Sequence, residues 1–173
     1  NVTGVQTCAL PIFWPTTFLL VSNIHSIVTG YNAALECRYV VCLDEGMFHG
    51  DKVAIERLKS TVTEPYIQIE EKFQPQRSIR SVHRFFAATN NAHYATVDRD
   101  DRRFVFFEVS AERQGDHAYY AELAAAMDDP SVIAAMMADL QSMNLTHFNV
   151  RNRPRTVEHA SQKLQSLAGI HRF

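Results

Sequence analysis

The chain has 173 residues, which is enough for one domain with a substantial core. Apolar residues make up 46% and charged residues 21%, as in an ordinary soluble globular protein, and a net charge of -2 excludes a global basic field that would attract nucleic acid. The apolar runs are too short for a membrane helix, and the three cysteines have no metal-binding spacing, so we expect a reduced, cytoplasmic protein.

The first dozen residues do not have the character of native protein. Val2 to Ile12 can be back-translated into the sequence of a common short-read sequencing adapter, and chance agreement over this many consecutive codons is negligible. A signal peptide is excluded because the stretch has neither a basic start nor a long apolar core. We therefore predict that residues 1–12 are an adapter-derived artefact and that the segment which preceded Phe13 in the gene is missing.

From residue 13 the pattern predicts an α/β arrangement. Apolar runs at 18–22 and 39–43 indicate buried strands, and the second run lacks alternation, as expected for a central strand of a parallel sheet. A turn or short helix at 26–37 separates them. An amphipathic helix is predicted at 49–62. Alternation in 63–73 then predicts a half-exposed strand that enters a hairpin through FQPQRS.

Two more strands and a helical end complete the predicted order. Residues 81–91 contain another buried strand, and residues 104–110 are predicted to form a strand after a polar turn. The composition then becomes helical, with Pro130 in a helix-start position. The predicted division is an α/β core at 13–112 and a helical C-terminal part at 113–173.

Four motifs follow one another along the chain: VVCLDEG, LKSTVTEPYIQIEEK, FFAATNN and DRDDRRFVFFEVS. Their order resembles superfamily 3 helicases, which are AAA+-related ATPases of viruses, phages and plasmids, and most closely the helicase domain of phage primase-polymerase proteins. The resemblance implies a partial AAA+ or P-loop-type parallel sheet flanked by helices. The Gly-rich phosphate loop of that family, which ends in Gly-Lys-Ser or Gly-Lys-Thr, does not occur in this sequence.

By resemblance, the residues at the strand ends form an ATP site. Asp44 helps to hold Mg²⁺ through water, and Glu45 polarises the attacking water. Asn90 is the sensor that hydrogen-bonds this water or the γ-phosphate, with Asn91 as the alternative. A strand followed by a polar turn is the other interpretation of each of these stretches.

Either Arg102 or Arg103 is, by resemblance, an arginine finger that reaches the phosphate of a neighbouring subunit. A finger supplied in this way implies a ring of identical chains, expected to be a hexamer. Local pairing with the preceding aspartates is the alternative interpretation.

The predicted hairpin would, by resemblance, project into the ring channel and contact the backbone of single-stranded or forked DNA. Such contacts between cations and phosphates are independent of sequence and sensitive to salt. A solvated charged strand face is the alternative, and Glu70 and Glu71 argue against a uniformly basic loop. The residues predicted to make the contacts are Lys59, Lys72, Arg77 and Arg80, with Arg84 extending the basic character.

These interpretations predict the C-terminal fragment of an ATP-dependent DNA helicase module, with ATP and Mg²⁺ as cofactors, from a replication protein of a phage or mobile element. Without a phosphate loop the fragment alone is expected to be inactive. A non-catalytic DNA-binding or oligomerisation remnant of the same fold is the alternative. A metal-dependent nuclease is a third hypothesis, but Asn90 stands where that chemistry would need another carboxylate. The histidines are scattered and form no zinc motif.

Overall fold

A computed structural model describes residues 16–44, 52–89, 103–149, 152, 154, 156–158 and 160–161 of the chain. The predicted artefact at 1–12 lies outside the described residues, as do the predicted site residues Glu45, Asn90 and Arg102. The elements in chain order are β1 (Phe18–Val21), α1 (His25–Val28), a 3-10 turn (Ala33–Leu35), β2 (Val40–Leu43), α2 (Lys52–Thr63), β3 (Tyr66–Ile69), β4 (Arg77–Arg80), β5 (Arg84–Ala87), α3 (His117–Asp128) and α4 (Pro130–Ser142).

The predicted parallel sheet is confirmed: within the described residues, β2 lies between β1 and β5, and both neighbours run parallel to it. All four residues of β2 are buried, because an apolar, β-branched strand without alternation is stable only where both faces of the sheet are covered. The register aligns Val21 with Leu43 and Leu43 with Ala87, so the three strands end level with one another.

Helix α2 covers the sheet with one apolar face. Ala54, Ile55 and Leu58 are buried and follow the spacing of a single helical face, while the positions between them are mostly exposed. Ile27 of α1 and Leu35 of the 3-10 turn belong to the same core cluster. The predicted turn or short helix at 26–37 and the amphipathic helix at 49–62 are therefore confirmed, each with small shifts in its bounds.

The predicted hairpin forms from β3 and β4, which pair antiparallel and make a separate two-stranded sheet. In β3 the exposed and buried positions alternate, and Ile67 and Ile69 join the core. On the opposite face, Tyr66 pairs with Arg80 across the two strands and points to solvent. The alternation predicted from the sequence thus corresponds to a ribbon with one face on the core and one in water.

The C-terminal part is helical, as predicted, and both helices begin with an aspartate cap. The Asp116 carboxylate accepts a hydrogen bond from the Tyr119 amide at 3.0 Å, at the start of α3. At the start of α4, Asp129 Oδ1 accepts from the Ser131 amide at 2.8 Å and from the Ser131 hydroxyl at 2.7 Å. These bonds, the hydroxyl bond foremost, lower the pKa of the Asp129 carboxyl. Among the described residues, no helix is long and apolar enough to cross a membrane.

The prediction of a strand at 104–110 is wrong, because this stretch does not form a strand in the structure. Phe106 is buried and Phe104 packs against the main core, with their rings stacked 6.0 Å apart. Phe107 and Val109 are exposed. A strand-like composition reflects how well side chains fit a pleated, half-buried surface. Here two aromatic rings pack together in a stretch that does not form a strand.

Candidate functional site

The candidate nucleotide site lies where β1, β2 and β5 end. The main-chain pairing continues one residue beyond the strands: the Asp44 amide donates to the Val21 carbonyl at 2.8 Å, and the Ala88 amide donates to the Leu43 carbonyl at 3.1 Å. The half-buried Asp44 and the residues Ala88 and Thr89 therefore leave the sheet at the same edge. The carboxyl edge of a parallel sheet is where open α/β folds bind their ligands.

Cys42 lies within β2, two residues before Asp44. Burial and, to a smaller extent, the negative charge of Asp44 together raise the pKa of its thiol to about 11. The thiol is therefore neutral at physiological pH and packs as a small apolar side chain rather than serving as a nucleophile.

The other predicted catalytic residues are placed only in part. Glu45, Asn90 and Arg102 lie outside the described residues, so their roles stay predictions. Arg103 is described and is exposed at a bend of the chain. The described part of the predicted catalytic site thus consists of the end of β2 at Asp44 and the end of β5, which lie at one edge of the sheet.

The side chains at this edge of the sheet determine which metal ion the site could bind. Within the described ranges, no group of three or more His, Cys, Asp or Glu side chains is arranged to bind a metal ion. A carboxylate such as that of Asp44 suits Mg²⁺, which keeps several water molecules and takes further oxygen ligands from phosphates. The described residues therefore fit a metal that arrives with a nucleotide, and they do not form an all-protein cage.

The hairpin is held to the core by the side chain of Asn32. Its Nδ2 donates to the Gln68 carbonyl at 2.9 Å, and its Oδ1 accepts from the Glu70 amide at 2.9 Å. Main-chain groups of a strand point alternately to its two edges, so Asn32 binds the edge of β3 that β4 does not use. The side-chain amide thus takes the place of a further strand and fixes the orientation of the hairpin.

Arg77 makes a second attachment between the hairpin and the core. Its Nε donates to Glu36 Oε1 at 3.1 Å, its Nη2 bonds the other oxygen of Glu36, and Nη2 also lies 3.0 Å from Glu71 Oε2. The hydrogen bonds from Arg77 lower the pKa of the Glu36 carboxyl, and those to Glu36 and Glu71 raise the pKa of Arg77. The predicted contact of Arg77 with DNA therefore competes with two carboxylates of the protein.

Lys59 also lies away from the hairpin surface on which it was expected. It is on α2, only 4% exposed, with its Nζ 2.7 Å from Glu56 Oε1. The helical spacing that buries Leu58 also turns Lys59 inward, so its ammonium is not presented to a phosphate backbone. Arg84 donates from Nη1 to the His83 carbonyl at 2.9 Å and stacks on Tyr39.

Lys72 and Arg80 remain exposed on the hairpin. Sequence reasoning missed two features of their surroundings: the docking role of Asn32, and the exposed aromatic side chains Tyr66 and Phe73 next to them. Asn32 carries no sequence signal, since its partners lie more than 30 residues away. The aromatics could have been noticed from the turn FQPQ and from the outward phase of the alternating strand.

Comparison with known proteins places the chain in a family. The sequence profile of a family of unknown function, DUF5906, matches residues 11–103, more than half of the chain. The chain belongs to the DUF5906 family. No curated protein matches the sequence of this DUF5906 chain.

Solved structures of the NrS-1 C-terminal region share the fold. One apo structure superposes with a TM-score of 0.79 at 14% identity, covering 97% of this chain and 40% of that chain. Two A-form apo structures of the same region give TM-scores of 0.74 and 0.69, at 16% and 14% identity, and cover 95% and 96% of this chain and 39% of theirs. At these identities the similarity establishes the fold alone, and the chain spans about 40% of the length of the structures it matches.

Proposed function

We propose that this DUF5906 chain is the C-terminal fragment of an ATP-dependent DNA helicase module, from a replication protein of a phage or mobile element. The observation that carries the proposal is the level ending of β2 and β5 at one edge of the sheet. That arrangement allows Asp44 and Asn90, which belong to separate motifs, to act on one ligand.

Each of the three predicted catalytic residues has a distinct task in hydrolysis. Asp44 would hold Mg²⁺ through water, and the metal would supply neutralisation of the phosphate charge. Glu45 orients and polarises the attacking water, and Asn90 fixes the position of that water or of the γ-phosphate by hydrogen bonding. Little covalent chemistry is required of the protein, because phosphoryl transfer depends mainly on positioning and on stabilising charge.

The proposal extends to an assembly. Arg102 or Arg103 reaches the nucleotide of a neighbouring subunit, so that the chains form a ring, with six subunits as the expected number. The hairpin faces the DNA in the centre of this ring. Coverage of about 40% of the NrS-1 C-terminal region supports a larger parent polypeptide, from which the phosphate loop would come.

The experiment that tests the proposal begins with the gene. The DNA that precedes codon 13 is recovered from its source, and the longer protein is expressed with and without Asp44→Asn. We expect the upstream segment to contain a loop ending in Gly-Lys-Ser or Gly-Lys-Thr, and the variant to need a much higher Mg²⁺ concentration for ATP hydrolysis. An intact gene without such a loop would contradict the helicase proposal.

A non-catalytic DNA-binding or oligomerisation remnant is the second candidate. The exposed cations Lys72 and Arg80 of the hairpin favour it, because they could contact phosphates without a bound nucleotide. Its hairpin and ring contacts would persist without nucleotide chemistry. The two candidates differ in one readout: the remnant binds DNA equally well with and without Mg-ATP, whereas the helicase module changes its DNA affinity when nucleotide binds.

A further inference from the structure

The tip of the hairpin carries an aromatic side chain that the fold does not explain. Phe73 is 91% exposed and adopts a backbone φ of +65°, a region that side chains other than glycine and asparagine rarely occupy. The Gln74 amide donates to the Glu71 carbonyl at 3.1 Å, which places Lys72 and Phe73 at the centre of the turn. Glycine would relieve the backbone strain, and a polar residue would suit the exposure better.

A cation accompanies this ring. The Lys72 Nζ lies 5.1 Å from the centroid of Phe73, over its face. A second aromatic and a second cation stand together at the other end of the ribbon, where Tyr66, 59% exposed, is paired with Arg80. The exposed surface of the hairpin thus presents one aromatic ring with a cation over its face, and one aromatic residue with a cation as its cross-strand neighbour.

The carboxylates of the hairpin do not neutralise these cations. Glu71 is bound by Arg77, and Glu70 Oε1 accepts a hydrogen bond from Gln76 Nε2 at 3.1 Å. In the part of the chain that the structure describes, Lys72 and Arg80 form no ion pair. The acidic residues that made the sequence look unsuitable for DNA are therefore directed at other groups of the protein.

We propose that this face of the hairpin binds single-stranded DNA through base stacking, with bases on Phe73 and Tyr66 and phosphates on Lys72 and Arg80. Exposed aromatic rings interleaved with cations are the standard means of holding an unpaired strand without regard to its sequence. The proposal rests on the proposed function and adds to it, since phosphate contact alone would not distinguish an unpaired strand from a duplex. Bases in a duplex are already stacked on one another and offer no free face.

The test measures fluorescence anisotropy of a fluorescein-labelled thymidine oligonucleotide with the 173-residue chain, at fixed salt and without nucleotide. An abasic oligonucleotide of the same length, a duplex and the matching uridine RNA serve as comparison ligands. We expect the thymidine strand to bind more tightly than the abasic strand and the duplex. Equal affinity for abasic and thymidine strands would overturn the proposal, and tighter binding of RNA would contradict the assignment to DNA.

Single substitutions separate stacking from charge. Phe73→Gly is expected to weaken binding of the thymidine strand about 5- to 150-fold, which is the range for loss of one stacked base, and to leave the abasic strand unaffected. Lys72→Gln is expected to weaken both ligands alike and to reduce the salt dependence. Phe107→Ala is the matched control, because Phe107 is 71% exposed but lies outside the hairpin, and its removal should change neither affinity.

A stability measurement tests whether weaker DNA binding results from unfolding of the variant. Because glycine tolerates a positive φ, Phe73→Gly is expected to raise the Tm or leave it unchanged, so that weaker binding cannot be attributed to unfolding. A lower Tm together with unchanged DNA binding would show that Phe73 serves the fold, and would overturn the proposal. Because no measurement in this series contains ATP, a failure of the stacking proposal is distinguishable from a failure of the ATPase proposal.

Discussion

Replacing Asn32 with alanine should loosen the hairpin without opening a cavity in the core. The change removes both hydrogen bonds between the Asn32 side chain and the main chain of β3, at Gln68 and Glu70. Each such bond contributes a net stabilisation of about 0.5–1.5 kcal/mol. The loss of both bonds should therefore lower the free energy of unfolding by about 1–3 kcal/mol. For a chain of this length the Tm should fall by roughly 2–12 °C.

Two measurements check this expectation. Urea denaturation gives the loss of stability, and hydrogen exchange of the Glu70 amide reports on the bond itself. Asn23→Ala is the matched control, because Asn23 Oδ1 accepts from the His25 amide at 3.0 Å near α1 and does not contact β3. A loss below about 0.5 kcal/mol with unchanged exchange at Glu70 would refute the docking role of Asn32.

Three further outcomes follow from single contacts. Arg77 lowers the pKa of Glu36 from its ordinary 4.5, so this pair stabilises the fold above that pH and the stabilisation disappears as the pH falls through the depressed value. Wild type should therefore be more stable than Glu36→Gln at pH 7 and lose this advantage in acid titration; an advantage independent of pH would contradict the ion pair. Iodoacetamide followed by peptide mass spectrometry should label the exposed Cys37 and spare the buried Cys42, whereas equal labelling would show that β2 opens. Leu58→Ala should cost about 2–5 kcal/mol in urea denaturation, and the volume-conserving control Leu58→Met less than about 1.5 kcal/mol; similar losses in both would indicate that Leu58 is not tightly packed.

The α/β core was predictable because its signals are local. The run at 39–43 is apolar without alternation, which occurs where a strand is covered on both faces, and β2 is buried at every position. The alternation around Ile67 and Ile69 identified the inner face of the hairpin equally well. In both cases the side chains that decide the structure are neighbours in sequence.

The departures from expectation have two causes, which are partners distant in sequence and the phase of a helix. The stretch at 104–110 has strand-like composition, but a strand requires a partner, and nothing local specifies one. Lys59 was assigned to the DNA surface from its place in a motif, whereas the helical phase of α2 turns it toward the buried side. From the sequence alone Arg77 was expected to contact DNA, but in the structure it binds Glu36, which lies 41 residues earlier.

The central claim is that the ends of β2 and β5 form the catalytic half of an ATP site. ATP binding and ATP hydrolysis by the longer protein, compared between wild type and Glu45→Gln, test it most directly. The variant is expected to bind Mg-ATP with near wild-type affinity and to lose turnover, because the role proposed for Glu45 is to act on the attacking water and not on the nucleotide. Turnover at the wild-type rate in Glu45→Gln would contradict it.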